Sequence, residues 1–222
     1  MFHGLGLAEG DQAEHTPWVK AGFVVVAYEI ESWFEQTMSN KVLIGNIKEF
    51  LAAKSGVSNG KAAVAFAKRL PQVDGDAIYA VGHSSAGTLA LQLAAEDERI
   101  AAAAAFAPVP DLKAHFGDEG PEMLDKLVRG SAKKLFARSP HKQVSKLRCP
   151  TFLFVAEDDD VAPLDRLSTY VDKLKKRNKR VQFITVASGG HYDPMIEAGI
   201  PGAIQWIQGG MQASAASGAK RK

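Results

Sequence analysis

Residues 78–89 read IYAVGHSSAGTL and pass from an apolar run through a turn of small residues into a helical pattern. A serine held in such a strand–turn–helix turn has a strained backbone, and strand and helix crowd the positions two residues away from it. Those positions must therefore be small, and Gly82 and Ala86 meet the requirement around Ser84. The pattern predicts a nucleophile elbow with Ser84 as the nucleophile.

Ser85 and an anion-binding turn are the two alternatives to this interpretation. If Ser85 were the nucleophile, His83 would occupy a crowded position, which the steric argument disfavours. Ala86 also departs from the strict G-x-S-x-G pattern, although Gly87 follows at once. Amides at a helix N-terminus attract phosphates, but neither the dinucleotide motif nor the P-loop motif is present.

The rest of the chain alternates apolar runs with helical patterns, which is typical of a parallel sheet with helical crossovers. The runs are Phe23–Tyr28, Ile78–Val81, Ile100–Pro108, Thr151–Val155 and Val181–Val186. The prediction is an α/β fold with five strands in a mostly parallel sheet flanked by helices on both faces. The alanine-rich third run has high helix propensity, so its assignment as a strand rests on its position between helices.

Two helical patterns should cover this sheet, because their apolar residues follow three-four spacing. The first can begin at Ser58 or Asn59, ends before Pro71 and carries Phe66 in its stripe, whereas Pro163 opens the second. We expect residues 1–208 to form one domain, with a small cap in residues 111–146. The Gly-, Ala- and Ser-rich residues 209–222 are expected to be a disordered tail.

A serine nucleophile needs a base and an acid that orients it, each beyond a separate strand. Asp158, Asp159 and Asp160 follow the fourth run directly. His191 follows the last run, behind Gly189 and Gly190, which give its loop conformational freedom. The chain order Ser84, aspartate, His191 favours a catalytic arrangement.

Composition excludes several other classes of function. Lys and Arg total 27 against 25 for Asp and Glu, so the formal charge of +2 does not indicate a nucleic-acid partner. The single cysteine, Cys149, rules out an internal disulfide. No signal peptide and no membrane-spanning run is visible, so we expect a cytoplasmic protein without a membrane partner. No metal and no cofactor is expected.

On residues 82–87, 156–163 and 189–191, the chain resembles the α/β-hydrolase family, and within it the dienelactone-hydrolase and prolyl-oligopeptidase-like branches. The family's acid loop reads G-x-x-D-x-x-x-P; aligning Ala156 and Pro163 with its ends selects Asp159, with Asp158 as the alternate. The resemblance implies that Ser84 attacks an acyl carbon while His191 takes its proton.

The resemblance also implies an oxyanion hole made of two backbone N–H groups. One would come from Ser85 and the other from Leu5 or Gly4, in the segment HGLG at residues 3–6. The substrate would be a small-molecule or peptide-like ester, thioester or amide, and no cofactor is implied.

Family members have about eight strands, so the resemblance implies that N-terminal strands are missing here. An uncovered sheet edge leaves backbone groups unpaired, and we therefore expect an aggregation-prone chain or a homo-oligomer. The alternative to an enzyme is a truncated or non-catalytic hydrolase-fold protein that only binds.

Overall fold

The computed structural model of the protein describes residues 9–30 and 39–219. Four strands in this part of the chain form one parallel sheet in the order β1-β2-β3-β4. They are β1 (Ile78–His83), β2 (Ile100–Phe106), β3 (Thr151–Ala156) and β4 (Val181–Val186). The predicted α/β fold with a mostly parallel sheet is confirmed.

Nine α-helices lie within the described residues. They are α1 (Glu9–Lys20), α2 (Asn40–Ala52), α3 (Val57–Ala67), α4 (Ser84–Glu96), α5 (Leu112–Phe116), α6 (Gly120–Leu127), α7 (Ser131–Phe136), α8 (Leu164–Arg177) and α9 (Ile200–Ala219). A 3₁₀ turn at Pro140–Lys142 and a π-helical turn at Met195–Gly199 complete the elements.

One of the two predicted helices, α3, differs from the prediction in two details. The N-cap of α3 is Gly56, with a left-handed φ of 86°, rather than Ser58 or Asn59. Glycine adopts that conformation without steric conflict. Phe66, expected in the buried stripe of this helix, is 47% exposed. Pro163 does precede α8, as the sequence predicts.

The alanine-rich run Ile100–Phe106 is a strand despite its helix propensity. β2 lies between β1 and β3, and the relative exposure of Ala103, Ala104 and Ala105 is 0%. Side chains this small let helices approach both faces of the sheet closely. Tertiary packing therefore overrides the local preference of alanine.

Helices cover both faces of the sheet, and each face has its own core. On one face, α3, α4 and α8 pack against the strands through residues such as Leu91, Leu153 and Leu167. On the other face, α1 and α9 bury Trp18 and Ile204 against aromatic side chains of β2 and β3. The strands are thus enclosed on both faces, and because they are parallel their carboxyl ends share one edge.

The first predicted strand, Phe23–Tyr28, is not a strand, so the described sheet has four strands instead of five. The run contacts the sheet through side chains. Phe23 and Val25 pack with one core, and Val26 packs with the other. Phe23 also meets the Tyr79 ring edge-on at 5.9 Å. Its apolar composition reflects burial of side chains, and composition alone cannot reveal whether the backbone has a pairing partner.

Helices α5, α6 and α7 follow β2 and precede β3 along the chain, in the segment expected to form a cap. Leu124, Leu135 and Phe136 form a small separate core there, against which Phe50 of α2 packs.

At the end of the chain, α9 continues through residues 209–219, for which the sequence predicts disorder. Alanine has the highest helix propensity and recurs in this segment. Within the described ranges, no helix has the length and apolarity needed to cross a bilayer.

Candidate active site

Ser84 stands in a sharp turn between β1 and α4. Its φ of 53° is left-handed, a conformation that non-glycine residues rarely adopt. A Cβ at Gly82 would lie 2.4 Å from the backbone C and O atoms of Ala86. No side chain fits at that distance, so the turn requires glycine at position 82. These are the steric features of the elbow predicted from the sequence.

The departure at Ala86 has a simple explanation, because the close approach occurs one residue later. Ala86 is exposed, so its methyl group has room. A Cβ at Gly87 would instead lie 2.9 Å from the carbonyl oxygen of Gly82 and 3.1 Å from that of Phe106. Gly87 thus allows α4 to pack against β1 and β2.

The buried Thr88 connects the elbow to the chain that follows β2. Its hydroxyl accepts a hydrogen bond from the amide of Val109 at 2.8 Å. The same hydroxyl donates to the carbonyl of Ser84 at 3.1 Å or to that of Val109 at 3.3 Å. The sequence alone does not single out this residue, since a threonine inside an amphipathic helix carries no distinctive signal.

Asp159 and His191 form a hydrogen-bonded pair at the edge of the sheet where Ser84 also lies. His191 Nδ1 donates to Oδ2 of Asp159 at 2.8 Å, with Oδ1 at 3.0 Å. The Asp159 side chain is fully buried, and its Oδ1 also accepts from the amides of Val161 and Ala162 at 2.9 and 2.8 Å. This arrangement orients the imidazole and leaves Nε2 as its other reactive atom.

Asp158, the alternate acid, bonds to the backbone of the histidine loop. Its exposed carboxylate accepts from the amides of Gly189 and Gly190 at 3.1 and 2.9 Å. Hydrogen bonds from Gly190 and then Gly189 lower the pKa of this carboxyl. The two neighbouring aspartates therefore make different contacts, and only Asp159 bonds to the imidazole.

His83 is a further residue at the site, although in the sequence it stands out only as a bulky residue that disfavours Ser85 as the nucleophile. Its Nε2 donates to the backbone carbonyl of His191 at 2.7 Å. The two imidazole rings lie 4.6 Å apart, and the ring of Tyr192 meets His83 edge-on at 5.7 Å. Burial lowers the pKa of His83. The residue before Ser84 thus contacts the loop that carries His191.

Only one of the two predicted oxyanion donors, the amide of Ser85, lies within the described residues. Ser85 is the second residue of α4, directly after Ser84, where backbone N–H groups are free of intrahelical partners. The Ser85 hydroxyl is buried and makes no hydrogen bond within the described part of the chain. Leu5, like Gly4, lies outside the described residues.

A small niche lies between the end of β2 and the acid loop. Pro108, Val109, Val161 and Ala162 contribute to its apolar lining. His115 and Arg166 also line it. Burial first, and then the charges of Arg166 and His191, lower the pKa of His115. Among the residues described, three or more His, Cys, Asp or Glu side chains nowhere gather as a metal-ligand set.

Comparison with known proteins identifies a family and related folds. The sequence profile of the prolyl oligopeptidase family matches residues 53–201, which are 149 of the 222 residues. An acylaminoacyl peptidase of Pyrococcus horikoshii superimposes with a TM-score of 0.58 at 16% identity. An esterase of Pyrococcus furiosus gives 0.63 and acetyl xylan esterase 1 of a Thermoanaerobacterium species gives 0.65, each at 16% identity.

The chain covers only part of these structures. The aligned regions are 75% of this chain and 28% of the peptidase, 89% and 75% for the first esterase, and 87% and 68% for the second. At this level of identity the likeness establishes the fold. A comparison with curated protein sequences gives no match.

Proposed function

The chain belongs to the prolyl oligopeptidase family, and we propose that it is a serine hydrolase acting through an acyl-enzyme on Ser84. The substrate class proposed is a small-molecule or peptide-like ester, thioester or amide. The observation that carries the proposal is the 2.8 Å bond between His191 Nδ1 and the buried Asp159. That pair lies at the same sheet edge as the strained Ser84.

In the proposed reaction, Oγ of Ser84 attacks the acyl carbon while Nε2 of His191 takes the hydroxyl proton. Asp159 holds the proton on Nδ1, so Nε2 is free to accept, and it stabilises the imidazolium that forms. His191 then donates the proton to the leaving group, which departs and leaves the acyl group on Ser84. A water molecule, deprotonated by His191, attacks this acyl group; the bond to Oγ breaks, His191 returns the proton to Oγ of Ser84, and the carboxylic acid leaves.

Each attack produces a negatively charged oxygen that needs hydrogen-bond donors. We assign the amide of Ser85 as one donor, because it follows the nucleophile at the start of α4. The amide of Leu5 is proposed as the second donor on the resemblance of its HGLG segment alone.

A fluorophosphonate probe tests the proposal without knowledge of the substrate, because it phosphonylates activated serines. Intact-mass analysis should show one adduct on the wild-type protein and none on Ser84→Ala, and peptide mapping should assign the adduct to Ser84. Ser58→Ala, which removes an exposed serine of α3, is the matched control and should label fully. If folded wild-type protein does not label, the chain is a binding-only protein of hydrolase fold, and the proposal is wrong.

A further inference from the structure

The loop that carries His191 is held through its backbone as well as through the imidazole. Gly189 and Gly190 have φ angles of 125° and 72°, which only glycine adopts readily. A Cβ at Gly189 would lie 2.5 Å from Cγ of Pro194, so the loop turns back tightly on itself. Such a turn directs two successive N–H groups to one side, where the Asp158 carboxylate accepts both.

The same loop is held at His191 itself from the nucleophile elbow. The donor is Nε2 of His83, and the acceptor is the carbonyl oxygen of His191, 2.7 Å away. Because His83 precedes Ser84 directly, this bond links the side chain of the residue next to the nucleophile to the backbone of the base. Burial of His83 favours its neutral form, which can donate from Nε2 without adding a positive charge beside His191.

We propose that Asp158 and His83 are positioning residues that hold the backbone of the His191 loop from two sides, which extends the proposed function. Within the His191 loop, the bonds that Asp159 makes go to the imidazole, so it orients the ring but does not fix the Cα atom that carries it. Asp158 holds the amides of Gly189 and Gly190, the two residues before His191. His83 holds the backbone carbonyl of His191 itself. A displacement of about 1 Å at a reacting group can lower rates about 100-fold.

The second-order rate constant for fluorophosphonate labelling tests this role. We expect His83→Phe to lower it about 10- to 100-fold, because the ring stays and the donor is lost. His83→Gln, whose amide nitrogen can donate at a similar position, should recover most of the rate. Asp158→Asn should lower the rate about tenfold, because a neutral amide cannot accept from both glycines as a carboxylate does.

Two control variants separate positioning from general effects on structure. Asp160→Asn changes the exposed neighbouring aspartate, and His141→Phe removes a comparable bond, from a half-buried histidine to the carbonyl of Pro110. Both should label within about twofold of wild type. If His83→Phe and Asp158→Asn also label within twofold, the two residues do not position His191 and the inference fails.

A readout independent of catalysis distinguishes this failure from failure of the proposed function. In ¹⁵N spectra of the folded wild type, the His191 ring nitrogens should show one fixed tautomer with the proton on Nδ1. In His83→Phe and Asp158→Asn, these signals should broaden or shift towards the average of the two tautomers. Unlabelled wild type with such shifts would overturn the proposed enzyme but support the positioning role, whereas unchanged signals would overturn the positioning role.

Discussion

Nδ1 of His191 lies 2.8 Å from Oδ2 of Asp159. The other carboxylate oxygen accepts the amides of Val161 and Ala162. The two oxygens thus have separate main partners, one in the acid loop and one on the base. A side chain that replaces Asp159 must therefore present one terminal atom to the loop amides and the other to His191.

Asp159→Asn should abolish most reactivity while leaving the fold intact. The Asn carbonyl oxygen would remain with the loop amides, so the NH₂ group would face His191. That contact requires an unprotonated Nδ1 and moves the proton to Nε2, which can then no longer accept from Ser84. We expect fluorophosphonate labelling to slow about 10³- to 10⁴-fold. A slowing of less than tenfold, with unchanged thermal stability, would contradict the role assigned to Asp159.

Gly82→Ala should disrupt the elbow. The new methyl group would lie 2.4 Å from the Ala86 backbone, and backbone atoms cannot move aside as a flexible side chain does. We expect a loss of about 3 kcal/mol or more in the free energy of unfolding, and loss of labelling. Gly45→Ala is the matched control, because a Cβ at this position in α2 meets no atom within 4 Å. It should stabilise the protein by about 0.5–1 kcal/mol. Urea unfolding measures both values, and equal effects would refute the steric argument.

Thr88→Val should destabilise the connection between the elbow and the segment after β2. Valine keeps the shape but removes the acceptor for the buried amide of Val109. An unsatisfied buried N–H lowers stability by about 1–3 kcal/mol. Thr88→Ser keeps the hydroxyl and serves as the control. Hydrogen exchange at the Val109 amide should accelerate in the valine variant only. Equal exchange rates in both variants would show that the Thr88 hydroxyl is not the acceptor that matters.

Asp97→Asn should make stability less dependent on pH. Its buried carboxylate accepts from Nε of Arg99 at 2.8 Å, and this side-chain hydrogen bonding is the main cause of its lowered pKa. A lowered folded-state pKa stabilises the protein above the ordinary carboxyl pKa of about 4, and the stabilisation is lost as the pH falls below it. Because Arg99 is partly exposed, we expect a difference of about 1 kcal/mol at pH 7.

Urea unfolding between pH 7 and pH 3 checks this prediction. The difference between wild type and Asp97→Asn should be constant down to about pH 4 and then shrink. Glu98→Gln, at the exposed neighbouring position, should follow wild type throughout. A difference that stays the same at pH 3 would mean that the charge of Asp97 does not stabilise the fold.

Much of the architecture was predictable because it depends on local patterns. Each of the four strands begins at the first residue of a predicted apolar run, although β1 and β3 end two residues and one residue later than predicted, and α8 begins after Pro163 as expected. The prediction of a strand at Phe23–Tyr28 was wrong. A strand is defined by hydrogen bonds to a neighbouring strand, and composition does not reveal whether such a neighbour exists. Ser84, Asp159 and His191 could be nominated as candidates because each follows a different parallel strand.

By itself, the sequence determined the parallel sheet, the elbow at Ser84 and the order of the nominated residues, because steric crowding and apolar periodicity act over a few residues. The family's acid-loop pattern favoured Asp159 and left Asp158 as the alternate, and only the tertiary structure decided which aspartate meets the imidazole. Asp158 and Asp159 are adjacent in the chain and chemically identical, yet one side chain turns outward to the glycine amides and the other turns into the buried loop. The contact from His83 to His191 was equally unpredictable, because it joins residues 108 positions apart.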